Sequence, residues 1–202
     1  EITSDGVLTF VSAPDYETKS SYSATVTASD GINTATQDIT VNVTNVNDIA
    51  PEFNSDATFS AAENQTAIGT VTATDAEGDD VTFTISGTEL EITSDGVLTF
   101  VSAPDYETKS EYTATVTASD GVNETTQDIS ITIINVNDNF PLFSSSTTFS
   151  ADENQTAVGT VTATDADGDG ITFTISGTEL EITSAGVLTF VSAPDYETKS
   201  EY

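Results

Sequence analysis

Apolar residues alternate with Thr, Ser or Asp along nearly the whole chain. Thr72 separates Val71 from Ala73, and Thr82 and Thr84 separate Val81, Phe83 and Ile85. Leu98 and Phe100 flank Thr99, while Tyr112, Ala114, Val116 and Ala118 are spaced by Thr113, Thr115 and Thr117. Ile129, Ile131 and Ile133 form a last row. A period of two puts neighbouring side chains on opposite faces, so each row predicts a strand with one buried and one wet face. The β-branched Thr suits the pleated outer face. Gly78-Asp79, Ser86-Gly87, Asp95-Gly96 and Asp120-Gly121 mark turns between the rows. No segment carries a 3.6-residue period. About seven short strands per repeat predict an all-β fold of antiparallel Greek-key β-sandwiches.

The same pattern returns every 90 residues without a gap: Glu1 to Leu90 matches Glu91 to Leu180 at 69 of 90 positions. Glu181 to Tyr202 opens a third copy. Breaks fall at Asn45-Val46-Asn47-Asp48-Ile49-Ala50-Pro51 and Asn135-Val136-Asn137-Asp138-Asn139-Phe140-Pro141, where Pro cannot extend a strand ladder. The expected domains are therefore residues 1–48, 49–138 and 139–202: the end of one repeat, a complete repeat, and the start of a third. A repeat out of phase with both chain ends suggests a window on a longer array. An array of like units seldom hosts one catalytic centre.

Charge sharpens the picture. Thirty-four acids stand against Lys19, Lys109 and Lys199, giving a net charge of −31, with no His or Cys. Nucleic acid is excluded as a partner, because phosphate binding needs Lys and Arg. No apolar stretch reaches the length of a membrane helix, so no membrane insertion is expected within this segment. The acids recur in phase. Glu63 follows the first strand, Asp75 and Glu77 form one pair, Asp105 and Glu107 another, and Asp120 closes a strand. Asp48 and Asp138 sit in the boundary peptides; Asp15, Glu17, Asp165, Asp167, Glu153, Asp195 and Glu197 are counterparts in the flanking copies.

These motifs resemble those of cadherin repeats. The linker motif DxNDNxP is similar to residues 135–141, DxD to Asp75-Ala-Glu77 and Asp165-Ala-Asp167, LDRE to Pro104-Asp105-Tyr106-Glu107, and AxDxG to Ala118-Ser119-Asp120-Gly121. The resemblance implies tandem immunoglobulin-like sandwiches with Ca²⁺ bound between successive repeats. One junction would use Glu63, Asp105, Glu107, Asn137, Asp138, Asp165 and Asp167, with backbone oxygens from Val136 and Asn139. The other would use Asp15, Glu17, Asn47, Asp48, Asp75, Glu77 and Asp120, with Ile49 offering its backbone oxygen. The chemistry agrees, since Ca²⁺ takes six to eight oxygen ligands. Two carboxylates about 4 Å apart repel by roughly 4 kcal/mol at an effective dielectric near 20, which a divalent ion would offset.

The sequence departs from the motif at Asn45 and Asn135, where the family has Asp, and at Ile49. The partner of Glu63 in the first copy would precede Glu1 and that of Asp120 in the third would follow Tyr202, so each junction is expected to lack one carboxylate. Glu153, Asp195 and Glu197 are expected to hold no ion. The Asp165 to Asp169 run also opens like an EF-hand loop, but Ser176 stands where that loop needs Glu. Asn42, Asn64 and Asn123 begin N-x-Thr triplets.

The resemblance implies a non-enzymatic, calcium-dependent, structural and adhesive array, extracellular or at the cell surface. The near identity of its copies suggests a bacterial-type protein, and the lack of Trp argues against Trp-anchored strand exchange. Two alternatives remain at this level. One is a module binding surface glycans or proteins; the other is a filament subunit pairing with other copies of itself through open strand edges.

Overall fold

The computed structural model describes all 202 residues and is built of strands alone. In chain order these are β1 (Ser21–Ser29), β2 (Thr34–Asn42), β3 (Glu52–Phe53), β4 (Thr58–Ala62), β5 (Ala67–Thr70), β6 (Ala73–Thr74), β7 (Thr82–Ile85), β8 (Leu90–Ile92), β9 (Val97–Phe100), β10 (Glu111–Ser119), β11 (Glu124–Ile134), β12 (Leu142–Phe143), β13 (Ala157–Thr160), β14 (Ala163–Thr164), β15 (Leu180–Ile182) and β16 (Val187–Phe190). No helix is long and apolar enough to cross a membrane.

The chain separates into two compact units. The first comprises Glu1–Ala61, Gln65–Ala103 and Glu111–Thr132; the second comprises Ala62–Asn64, Pro104–Ser110 and Ile133–Tyr202. In the first, one sheet has the order β4-β11-β10-β7, and β5-β9-β8 with the pair β3-β6 makes the opposing layer. All the recorded pairings are antiparallel. Rings join the layers: Phe100 meets Tyr112 edge-on at 5.0 Å, and Phe53 meets Phe83 at 6.4 Å. Val71, Leu90, Leu98, Val116, Ala118, Ile129 and Ile131 are buried between them. These are the inward positions of the alternating rows.

Residues 49–138 contain nine strand segments, which make up the expected seven or so strands because two of these are divided. The first edge strand divides into β3, paired with β6, and β4, beside β11, so one stretch of chain serves both layers. The next is broken by a register shift between Ala67 and Gly69, after which Val71 N–H donates to Gly96 C=O at 2.9 Å. That close approach decides the residue at 96. Gly96 has φ +85°, and a Cβ there would run into the Val71 carbonyl oxygen, whereas Gly78, also at φ +85°, faces open space. Gly96→Ala is expected to destabilise by roughly 2–3 kcal/mol and Gly78→Ala by about 1 kcal/mol, read by urea unfolding. Equal costs at the two sites would refute this account.

The second unit pairs β12 with β14 and orders β13-β16-β15. Ile133 and Leu188 are buried in it, and Phe143 packs on Phe173 at 6.2 Å.

Candidate metal centres

Glu63 is the one buried charged side chain, 3% exposed. Its place follows from the backbone around it. After β4 the chain turns sharply at Asn64, whose φ of 64° is left-handed, a conformation Asn tolerates better than most residues. Asn64 N–H donates to Pro104 C=O and Glu63 N–H to Ile134 C=O, which pins the turn. The Glu63 carboxylate then accepts from Tyr106 N–H at 2.8 Å on Oε2 and from Val136 N–H at 2.7 Å on Oε1. One acid thus ties two loops together.

Around it, within the second unit, Glu63, Glu107, Asp138 and Asp167 each bring a carboxylate oxygen within 4.8 Å of the others. The linker is held there by its amides. Asp138 N–H and Asn139 N–H donate to Asp167 Oδ2 at 3.2 and 2.8 Å, and Asn135 Nδ2 donates to the Asp167 carbonyl at 3.0 Å. Asn64 Nδ2 donates to Asp138 Oδ2. The Asn139 side chain holds Asp167 below its ordinary value by hydrogen bonding. Glu107 is pushed up, first by lost hydration and then by the charge of Glu63 and the proximity of Asp167. A carboxylate so crowded by like charge favours a bound cation.

A second cluster lies wholly within the first unit. Glu17, Asp48 and Glu77 converge within 4.8 Å. Asp48 N–H donates to Glu77 Oε1 at 3.0 Å, and Ile49 N–H reaches both Glu77 oxygens at 3.2 and 3.3 Å. The Asp48 N–H draws Glu77 down, but desolvation, Asp48 and the Asp75 charge outweigh it and leave the group raised. Beside it, Asn123 Nδ2 donates to Asn47 Oδ1, to Asp120 Oδ2 at 3.2 Å and to the Ile49 carbonyl at 3.4 Å. Asp120 Oδ1 accepts from Val122 and Asn123 N–H, both at 2.7 Å.

Asp15 and Asp105 join neither cluster. Each caps its own turn: Asp105 Oδ2 accepts from the Thr108 hydroxyl at 2.7 Å and Asp15 Oδ2 from Thr18 at 2.8 Å, which holds both acids below the usual carboxylate range. Asn137 is exposed in the linker. Asp75, Glu77 and Asp79 converge in one turn, as do Asp165, Asp167 and Asp169 in its counterpart. Strand β14 leads into the latter and no helix flanks it. Glu153, Asp195 and Glu197 also converge, with Tyr196 N–H on Glu153 Oε2 at 3.1 Å. The third copy thus gathers its own three acids, whereas in the middle copy Asp105, the counterpart of Asp195, stays outside the cluster.

The donor set is oxygen throughout: carboxylates, amide oxygens and backbone carbonyls, with no His or Cys in the chain. Asp75 Oδ2 and Asn135 Oδ1 are buried acceptors with no hydrogen-bond partner. Such a set fits a hard, flexible cation such as Ca²⁺ and does not fit zinc. Sequence reasoning missed the bridging asparagines Asn64, Asn123 and Asn135. Asn64 and Asn123 were visible only as N-x-Thr triplets, although each recurs at a fixed distance from a repeated acid.

No protein-family model matches the chain. It is 34% identical over 213 aligned positions to protocadherin Fat 4 of Mus musculus, an alignment that covers 93% of this chain and 4% of that protein. It is 31% identical over 216 positions to protocadherin-15 of Homo sapiens, with 95% of this chain and 11% of that one covered. Among solved structures, the extracellular domain of protocadherin GammaB4 superposes with a TM-score of 0.75 at 26% identity, over 98% of this chain and 36% of that one. Mouse cadherin-23 EC22-24 does so with a TM-score of 0.73 at 25% identity, over 92% and 68%. The chain spans only a small fraction of the length of the curated relatives it matches.

Proposed function

The chain belongs to the cadherins as a run of tandem repeats, and on that premise we propose that it is a stretch of extracellular spacer stiffened by Ca²⁺ at its linkers. The family is one of adhesion proteins and is not enzymatic. The repeats are residues 1–48, 49–138 and 139–202. The observation that carries the reading is the gathering of Glu63, Glu107, Asp138 and Asp167 around a linker whose own N–H groups point at Asp167.

Each residue there has a task. Glu63 positions the Tyr106 loop and the linker through its two accepted hydrogen bonds while offering its carboxylate to the ion. Glu107, Asp138 and Asp167 supply further charge from three separate segments. Calcium would supply the positive charge that lets these segments stay together. Asp75, Glu77, Glu17, Asp48, Asn47 and Asp120 would serve the first linker in the same way, with Asn123 steadying Asn47 and Asp120. The partners that follow are calcium and other copies of the same kind of repeat. A glycan partner has no support in the site chemistry or in the relatives' names.

Calorimetric titration of the chain tests this. Calcium is expected to bind with dissociation constants of about 10⁻⁴ to 10⁻³ M, the range of extracellular modules. Magnesium, which resists dehydration and demands octahedral geometry, is expected to bind about tenfold more weakly. Heat signals indistinguishable from buffer dilution at millimolar calcium would defeat the proposal.

A further inference from the structure

The second linker carries Asn139 at the place where the first carries Ile49. Asn139 Nδ2 stands 2.9 Å from Asp138 Oδ1, 3.0 Å from Asp167 Oδ1 and 3.3 Å from Glu107 Oε2. Ionised carboxylates only accept hydrogen bonds, so the nitrogen end of the amide, with its two protons, is the end that must face them. One neutral side chain therefore touches three of the four clustered acids, each from a different segment. A cation seated among those oxygens would be drawn by the same groups and would compete with this nitrogen for the place. The Asn139 main-chain N–H, bonded separately to Asp167 Oδ2, need not move. At the first linker Ile49 offers only its main-chain N–H to Glu77, and its side chain has no donor.

We propose that the Asn139 amide is an internal stand-in for a cation: it holds the second linker on its acids when divalent ions are scarce, whereas the first linker, with Ile49, depends on the ion for its order. This rests on the reading that both clusters take calcium. Asn139 is thus a positioning residue that sets how strongly one joint depends on calcium. Two joints of nearly the same sequence then loosen at different calcium concentrations, because a hydrogen bond to a charged group retains part of what the ion provides.

Main-chain hydrogen exchange on the full 202-residue chain reads this directly. In chelator, the Asp138 and Asn139 amides are expected to exchange about tenfold more slowly than those of Asp48 and Ile49. N139I is expected to abolish that advantage, and I49N to slow exchange at the first linker. In millimolar calcium, N139I and the parent chain should exchange alike at residues 138 and 139. Persistent protection of Val116 and Ile131 in every variant reports an intact fold. If N139I leaves exchange in chelator unchanged while calcium still slows both linkers, the stand-in is overturned and the calcium reading survives. If the N139I defect persists in calcium, Asn139 is merely structural and the proposal is again overturned. Exchange indifferent to calcium at both linkers removes the calcium reading itself, and the stand-in with it.

Discussion

Chelating calcium is expected to lower the thermal unfolding midpoint of this chain by roughly 10 °C. An ion that binds only the folded state stabilises it by RT ln(1 + [L]/Kd). With dissociation constants of about 10⁻⁴ to 10⁻³ M and calcium near 5 mM, that is about 1–2 kcal/mol per ion. Two such ions acting on domains of this size, at about 4–8 °C per kcal/mol, give the stated shift or more. The net charge of −31 adds self-repulsion that divalent binding relieves locally. Monovalent salt at matched ionic strength screens that repulsion, with a Debye length of about 10 Å at 0.1 M, but does not bridge carboxylates. Sodium chloride should therefore recover only part of the loss. Scanning calorimetry with identical midpoints in chelator and in calcium would contradict the argument, as would full recovery in sodium chloride.

Glu63→Ala is expected to have the largest effect of any single substitution at the linkers, and that effect should depend on calcium. Glu63 is 3% exposed and accepts from Tyr106 and Val136 N–H. Losing two hydrogen bonds to a charged acceptor, and stranding their donors, costs about 3 kcal/mol or more when the joint is otherwise neutralised by ions. In chelator the same change also removes one of four mutually repelling carboxylates, so a substantial part of the loss is recovered. Glu63→Gln separates the two contributions. It removes the charge and keeps one acceptor but sets its NH2 against the other backbone N–H, so its loss in chelator should be smaller than that of Glu63→Ala while calcium affinity falls about tenfold or more. Urea unfolding of the three chains with and without calcium measures both. A Glu63→Ala loss of the same size under both conditions would mean that Glu63 acts only as a structural tie.

Much of this was legible in the chain. The inward rows read from period-two alternation contain the residues that prove buried, Leu98, Phe100, Val116, Ala118, Ile129, Ile131 and Ile133 among them. Alternation works because the β pleat imposes it residue by residue, wherever the strand lies. The number of segments was less legible: β3 and β4 divide because the chain passes from one sheet to the other, which no local pattern encodes. The acids stood out for a different reason. A carboxylate repeated in phase on an already acidic chain implies a repeated environment.

What each acid does needed the tertiary structure. Asp105 and Glu107 lie in one short motif, yet Asp105 folds back onto Thr108 while Glu107 faces Glu63 and Asp167. The side-chain amides of Asn64, Asn123, Asn135 and Asn139 connect the linkers to the acid sites, and although these asparagines stand near the repeated acids or in the linker motif, their sequence positions do not reveal what their amides touch. The chain by itself determined the strands, their inward faces and the recurrence of the acids, because these are local or periodic properties. Only the fold decided which oxygens share a site and which amides stand between them, because that depends on where loops far apart in sequence are brought together by the sheets beneath them.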